Sequence, residues 1–158
     1  MLLKTTLYST LVLCITISTA IAQQKTKAQE GIKFTINTFF KGIHNRDTAL
    51  IRSTVTDGVT MQTIEKNKAG VVTVVNDGIA KFMETLITLP ASIKTIDERI
   101  TFEKILVDDV MAVAWVPFTL YFNNTYYSCG VNQFQLVQIG GQWKINFIID
   151  TRRKTCTT

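Results

Sequence analysis

The sequence has 158 residues, 46% of them hydrophobic, which suits one domain with a single core of ordinary size. The formal net charge is only +5, and the sequence has no basic groove interleaved with aromatic residues, so nucleic-acid binding is not expected. One histidine and three cysteines offer no metal-ligand spacing, and there is no glycine-rich phosphate loop, so we expect no metal and no cofactor.

The first 22 residues have the pattern of a secretory signal peptide. Lys4 supplies a positive charge, residues 7–17 are apolar, and Ala20-Ile21-Ala22 forms a small-x-small cleavage site. The apolar run is shorter than the roughly 20 residues that a membrane span needs. Loss of Lys4 on cleavage would lower the net charge from +5 to +4. We therefore expect residues 23–158 to form one domain in the periplasm or outside the cell.

Two cysteines, Cys129 and Cys156, remain after cleavage. In an oxidising compartment such a pair favours a disulfide. If the last strand ran straight, Cys156 would lie about 13 Å beyond the residue opposite Cys129, at about 3.3 Å per residue. A disulfide needs Cα atoms within about 7 Å. We therefore expect the tail after Arg153 to turn back towards Cys129.

In the N-terminal half, apolar spacing predicts helices and two short strands. Spacings of three and four residues predict a helix over 26–45, and Asp47 suits the N-cap of a short second helix. Two β-rich runs, 59–65 and 71–75, enclose a polar turn. A third helix is predicted over 78–89, ending at Pro90.

After Pro90 the sequence predicts long strands joined by tight turns. The turn candidates are Asp108-Asp109, Asn123-Asn124 and Gly140-Gly141, because Asn and Gly tolerate positive φ; the first is the weakest. Helices followed by a four-stranded antiparallel meander predict an α+β fold in which the sheet curls around the helices.

These turns also predict which residues face each other across the strands. They pair Trp115 with both Phe102 and Asn132, Tyr121 with Tyr126, and Leu136 with Ile145. The predicted inner face is apolar and consists of Ile100, Phe102, Leu106, Met111, Val113, Trp115, Phe134, Leu136, Ile145 and Phe147. The opposite face, which includes Ala112, Ala114, Val116, Phe118 and Leu120, is half apolar, and this favours a homodimer through the outer face of the sheet.

Polar side chains follow where the predicted inner face loses its apolar character, an arrangement typical of a ligand pocket. The alternative is that this is only the solvated edge of the sheet. The predicted ligand contacts are Phe102, Trp115, Thr119, Tyr121, Tyr126, Asn132 and Arg153. In this register Thr151 and Arg153 point to the pocket, where Arg153 would suit an anionic group, and Asp150 and Arg152 point outwards.

Four segments carry a resemblance to a known superfamily: "FFKGIHNRDTALI", "DERITFEKILVDDVMAVAWVPFTLYFNN", "SCGVNQFQLVQIGGQWKI" and "DTRRKTC". Residues 28–156 resemble nuclear transport factor 2-like proteins, whose cone-shaped α+β fold is shared by ketosteroid isomerase, polyketide cyclases and scytalone dehydratase. More narrowly, the segments resemble secreted bacterial proteins, common in Bacteroidetes, that are grouped as lumazine-binding-like. The resemblance implies helices packed into a curved sheet that encloses a ligand-sized cone.

The enzymes of this superfamily use an acid or a base inside the cone. The position that matches the base of the isomerase is Gln62, and an amide cannot accept a proton at neutral pH. The remaining catalytic candidates are His44, Asp57 and Glu98, with His44 and Asp57 as the one conceivable dyad. A lone histidine at the end of a helix is more typical of a favourable contact with the helix dipole.

Three hypotheses follow, in this order. The first is a non-catalytic, secreted protein that binds a small apolar or aromatic ligand, including an anionic one, in the cone. The second is an interaction or dimerisation module whose cone is filled by its own side chains. The third is an enzyme of isomerase, dehydratase or cyclase type.

Overall fold

The computed structural model describes residues 3–156, with side chains from 23 to 156. The predicted signal peptide, residues 1–22, lies outside the residues whose side chains are described. The described residues form three helices: α1 (Leu3–Asn45), α2 (Thr48–Thr54) and α3 (Gly78–Ile87). The carboxylate of Asp47 accepts a hydrogen bond from the backbone N–H of Leu50 at 2.8 Å, so the predicted cap of the second helix is confirmed. No helix in the described part of the chain has the length and apolar character needed to cross a membrane.

Within residues 3–156, seven strands form one sheet in the order β2-β1-β7-β6-β5-β3, and β4 also pairs with β5. Their bounds are β1 (Val55–Lys66), β2 (Val72–Asn76), β3 (Ile96–Ile100), β4 (Lys104–Asp108), β5 (Met111–Phe122), β6 (Thr125–Ile139) and β7 (Gln142–Arg153). All neighbouring strands are antiparallel except β1 and β7. The predicted α+β fold is confirmed, and the first strand of the meander is broken at residues 101–103 into β3 and β4.

The apolar stripe of α1 forms one side of the core. Five of its side chains are buried at the predicted spacing: Ile32, Ile36, Phe39, Phe40 and Ile43. The inner face of the sheet forms the other side, with Ala114, Val116, Phe134, Leu136 and Ile145 among its buried residues. Each large side chain removed from water in this way contributes about 1.5–3 kcal/mol. The helix therefore lies inside the curved sheet because the apolar stripe formed by these five residues of α1 faces that way.

The predicted turn between β4 and β5 is wrong by one residue. Asp108 pairs with Met111 instead of lying in the turn, and the turn is formed by Asp109, at φ 48°, and Val110. Moving a two-residue turn by one position changes the register by two residues and keeps the faces of the strands. Trp115 faces Lys104 instead of Phe102. Its side chain lies on the outer face, 46% exposed.

The inner and outer residues of β5 are thus the reverse of the prediction. Ala112, Ala114, Val116 and Phe118 are buried, whereas Met111 is 53% exposed. The cause is that the residues of both faces of β5 are largely apolar, so hydrophobicity alone did not decide between the two registers.

Two bulges change the predicted register of the later strands. The predicted pairs Tyr121–Tyr126 and Leu136–Ile145 are confirmed close to the turns. Bulges then follow between Leu120 and Tyr121 and between Gln135 and Leu136. Each bulge adds one residue to one strand and re-aims the side chains beyond it.

The consequence is greatest at the end of β7. Asn132 faces Val116 and Asp150 instead of the predicted Trp115 and Ile149. Asp150 and Arg152 consequently line the interior, and Arg153 does not. The predicted assignment of this segment to the two faces of the sheet is therefore wrong.

The disulfide between Cys129 and Cys156 is confirmed, with its Cα atoms 6.2 Å apart. Cys129 faces Arg153 across β6 and β7, and the strand ends at that residue. The tail turns back over the next three residues, as the distance argument predicts.

Candidate functional site

The space between α1, α3 and the inner face of the sheet is a cavity of about 250 Å³, called the cone below. Six phenylalanines line it: Phe39, Phe40, Phe82, Phe118, Phe122 and Phe134. The rings of Phe39 and Phe40 each meet the ring of Phe134 edge to face, with centroids 6.3 and 6.1 Å apart. These contacts fix the rings on one side of the cone and give it a rigid apolar wall.

One end of the cone carries five polar residues, which we call the polar cluster: Thr63, Glu98, Asn132, Asp150 and Arg152. They meet because the strands bring them side by side. Asp150 pairs with Thr63 on β1 and with Asn132 on β6. Glu98 reaches the cluster from β3, where it pairs with Leu120 of β5. A concentration of polar groups at one end of an apolar cavity is the usual arrangement of a small-molecule site.

Asp150 is the most enclosed charge of the polar cluster, with 6% of the residue exposed. One carboxylate oxygen accepts a hydrogen bond from the Thr63 hydroxyl at 2.6 Å, and the other accepts one from Arg152 Nε at 2.5 Å. Arg152 also donates from Nη2 to the Thr63 hydroxyl at 3.2 Å. Both oxygens of Asp150 are therefore engaged, as a buried carboxylate requires.

Arg152 remains charged in this arrangement. Burial lowers the pKa of its guanidinium, but the negative charge of Asp150 and the hydrogen bond to it outweigh that effect, so the pKa is raised overall. The Arg152 side chain is still 58% exposed, so the guanidinium lies between the cone and solvent.

Glu98 is held differently. Its Oε1 accepts a hydrogen bond from Asn132 Nδ2 at 3.0 Å, and none of the salt bridges within the described residues involves it. Burial raises the pKa of the Glu98 carboxyl to about 7, and the charge of Asp150 acts in the same direction. The Asn132 hydrogen bond and the charge of Arg152 oppose the rise. Glu98 can therefore exchange a proton near neutral pH inside the cone.

The other two catalytic candidates do not line the cone. His44 Nε2 accepts a hydrogen bond from the backbone N–H of Glu98 at 2.9 Å. The imidazole thus joins the end of α1 to β3 through the backbone of Glu98. Asp57 is exposed on β1. Of the three predicted candidates, only Glu98 contributes its side chain to the cavity.

Among the seven predicted ligand contacts, Asn132 lines the cone and the others do not. Phe102 lies in the break between β3 and β4, with Lys33 Nζ 5.8 Å from its ring centroid. Tyr121 and Tyr126 meet edge to face at 6.0 Å. Trp115, Thr119 and Arg153 are likewise absent from the cavity wall.

Sequence reasoning missed Thr63, Asp150 and Arg152 as members of the site. One usable signal was present on β5, where every even-numbered position from Ala112 to Phe122 is apolar while the odd positions include Thr119. That contrast identifies the even positions as the buried face. With it, the last strand could have been realigned to bring Asp150 inside.

The described residues contain no group of three His, Cys, Asp or Glu side chains close enough to hold a metal ion. The polar cluster supplies the polar side chains that line one end of the cone. It can donate and accept hydrogen bonds, and it can exchange a proton at Glu98.

Comparison with solved structures identifies the architecture. A nuclear transport factor 2-like protein of unknown function from Shewanella baltica aligns with a TM-score of 0.63 at 11% identity, over 82% of this chain and 97% of that chain. The chain has the nuclear transport factor 2-like fold. A protein of this fold from Methylobacillus flagellatus, also of unknown function, aligns with a TM-score of 0.60 at 16% identity, over 80% of this chain and 93% of that one.

A third structure, a suggested dehydratase of the nuclear transport factor 2-like family from Streptomyces avermitilis, aligns with a TM-score of 0.60 at 12% identity. The alignment covers 80% of this chain and 96% of that chain. The sequence matches no family model and no curated protein.

Proposed function

We propose that this nuclear transport factor 2-like chain binds a small, mainly apolar ligand in the cone, with the polar atoms of the ligand directed at the polar cluster. The observation that carries the proposal is a cavity walled by phenylalanine rings that ends in buried, hydrogen-bonded polar groups. Typical ligand pockets measure about 300–1,000 Å³. The cone, at about 250 Å³, is slightly smaller, so the ligand has one or two rings.

The test is a thermal-shift screen of the mature protein against a metabolite library that includes lumazine, because of the sequence resemblance to lumazine-binding-like proteins. Hits are then titrated against Thr85→Trp, since Thr85 is an exposed residue of α3 at the rim of the cone. An indole at this position should obstruct the cavity and weaken binding at least about 10-fold.

Glu84→Trp is the matched control, because Glu84 is the exposed neighbour of Thr85 on α3 and does not line the cone. It should leave the affinity unchanged. Equal affinities in both variants would place the ligand outside the cone and refute the proposal. A screen without hits would favour the second hypothesis, an interaction module with a self-filled cone.

A second candidate function is proton transfer on a bound ligand, as in an isomerase or a dehydratase. The observation that favours it is Glu98, whose raised pKa of about 7 suits a general acid or base at neutral pH. Glu98→Gln should abolish any turnover of a bound ligand while retaining binding. Turnover that is lost in His44→Ala but kept in Glu98→Gln would contradict this assignment.

We further propose that the chain is secreted. The support is the signal-like pattern of residues 1–22 together with the Cys129–Cys156 disulfide, which persists in an oxidising compartment. Expression of the full chain in a bacterial host and mass spectrometry of the periplasmic fraction should give a product that begins at Gln23 and has no free thiol. A full-length cytoplasmic product would overturn this proposal.

We propose that the partner of this chain is a second copy of itself, bound through the outer face of the sheet. Support comes from the exposed apolar side chains on β4 and β5, where Leu106, Met111 and Trp115 are 52%, 53% and 46% exposed. Light scattering at micromolar concentration should give twice the chain mass, and Trp115→Asp should give the mass of one chain. A wild-type mass equal to that of one chain would refute the proposal.

A further inference from the structure

Glu98 is the one acidic side chain at the wall of the cone without a basic partner in salt-bridge contact, within the part of the chain that the structure describes. Asp150 is paired with Arg152 at 2.5 Å, and Asp77 is paired with Lys81 at 2.7 Å. These two pairs contribute no net charge to the cavity. The charge of the cone therefore changes from 0 to −1 when Glu98 loses its proton.

The remaining groups around Glu98 do not alter this balance. On β3 itself, Asp97 and Arg99 pair with each other at 2.8 Å and alternate to the face opposite Glu98. From α1, His44 Nε2 contacts the backbone of Glu98, 2.9 Å from its nitrogen and 3.2 Å from its oxygen. From β5, the facing residue is the apolar Leu120.

Two further elements contribute uncharged groups. β1 contributes Gln62 and Thr63 to the cavity wall. β6 contributes Asn132, whose amide donates to Glu98 Oε1. This hydrogen bond can be accepted by a carboxylate oxygen and also by the carbonyl oxygen of a protonated carboxyl. When Glu98 is protonated, its second oxygen therefore carries a hydrogen-bond donor.

We infer that the ligand of the cone presents an oxygen acceptor, a carbonyl or a carboxylate, to the protonated side chain of Glu98, and that binding is therefore linked to the uptake of one proton. This inference rests on the proposed binding function. The ionised carboxylate would repel such an oxygen. The neighbouring donors Arg152 and Asn132 already donate to other members of the polar cluster. Occupancy consequently falls as the pH rises through neutrality.

The raised pKa of Glu98, about 7, sets the size of the effect. If only the protonated form binds, linkage predicts that the dissociation constant rises about 30-fold between pH 5.5 and 8.5. Below pH 6 the dependence should level off, because almost all Glu98 is then protonated.

The experiment uses two probes of the same shape, phenylacetamide and phenethylamine, titrated into the mature protein by nuclear magnetic resonance at pH 5.5, 7.0 and 8.5. Phenylacetamide is neutral and carries the oxygen acceptor. We expect its dissociation constant to rise about 30-fold over this range in the wild type. In Glu98→Gln, whose amide is a permanent donor, the constant should stay near the wild-type value at pH 5.5.

Glu103→Gln is the matched control, since Glu103 is exposed and does not line the cone. It should keep the full pH dependence. A further measurement needs only the wild type, so it stays valid if the Glu98 variant misfolds. The pKa of Glu98, followed by the ¹³C shift of its carboxyl, should rise when phenylacetamide saturates the protein.

The outcomes separate the inference from the proposed function. Phenylacetamide binding that is independent of pH overturns the inference and leaves ligand binding intact. Phenethylamine binding that strengthens with pH also overturns it, because Glu98 then acts as the carboxylate partner of a cation. Failure of both probes to bind at any pH overturns the inference and the proposed function together.

Discussion

Replacement of Asp150 by Asn tests whether the polar cluster is the buried, connected unit described above. The change keeps the side-chain volume but removes the negative charge that accepts hydrogen bonds from Thr63 and Arg152. Hydrogen bonds to charged groups contribute about 1.5–3 kcal/mol and neutral ones about 1, so weakening the Thr63 bond costs about 1 kcal/mol. The Arg152 pair adds no more than about 1 kcal/mol, because the guanidinium is 58% exposed.

The expected loss in free energy of unfolding is therefore about 2 kcal/mol. For a domain of this length that corresponds to a fall in Tm of about 4–8 °C. The assay is urea and thermal denaturation of the mature protein with its disulfide intact, followed by circular dichroism. In the same variant the pKa of Glu98 should fall, because the negative charge of Asp150 helps to raise it.

The chain supplies a matched control in Asp97→Asn. Asp97 and Arg99 form a pair with the same two-residue spacing as Asp150 and Arg152, but both side chains are exposed, 36% and 62%. Removal of such a surface pair costs at most about 1 kcal/mol. Equal losses in the two variants would refute the claim that Asp150 is a buried organising charge, and so would an unchanged pKa of Glu98.

Three further predictions concern stability. Because the pKa of Glu98 is raised from 4.5 to about 7 in the folded chain, its contribution to stability is complete below pH 4.5 and is lost as the pH rises to 7. The loss is on the order of 3 kcal/mol, and a pH series of urea titrations should show it in the wild type but not in Glu98→Gln. Gly42→Ala should destabilise by about 1–3 kcal/mol despite its better helix propensity, because the new Cβ would lie 2.6 Å from a side chain of α2 and 3.1 Å from backbone atoms. Gly58→Ala has open space and should change the midpoint of urea unfolding far less, so equal effects would contradict the packing argument. Replacing both Cys129 and Cys156 by Ser should lower the free energy of unfolding by about 3.5 kcal/mol, because the disulfide closes a loop with a sequence separation of 27. An unchanged midpoint of urea unfolding would show that the disulfide does not restrict the unfolded chain.

The sequence by itself determined the order of elements. The stripe of α1, the Asp47 cap and the Asn123-Asn124 and Gly140-Gly141 turns are local features, and each depends on residues only a few positions apart. The cysteine pair belongs with them, because the compartment and the count favour the bond. These local features were sufficient to predict an α+β fold in which the sheet curls around the helices.

Which residues point into the cone was decided only by the tertiary structure. Two bulges in the meander exchange the faces of the strands, and a bulge has no strong local signature. The polar cluster depends on this register. Asp150 on β7 meets Thr63 on β1, a strand that is distant in sequence and runs parallel to β7. The inward placement of Asp150 and Arg152, in place of Arg153, thus follows from packing across the whole sheet.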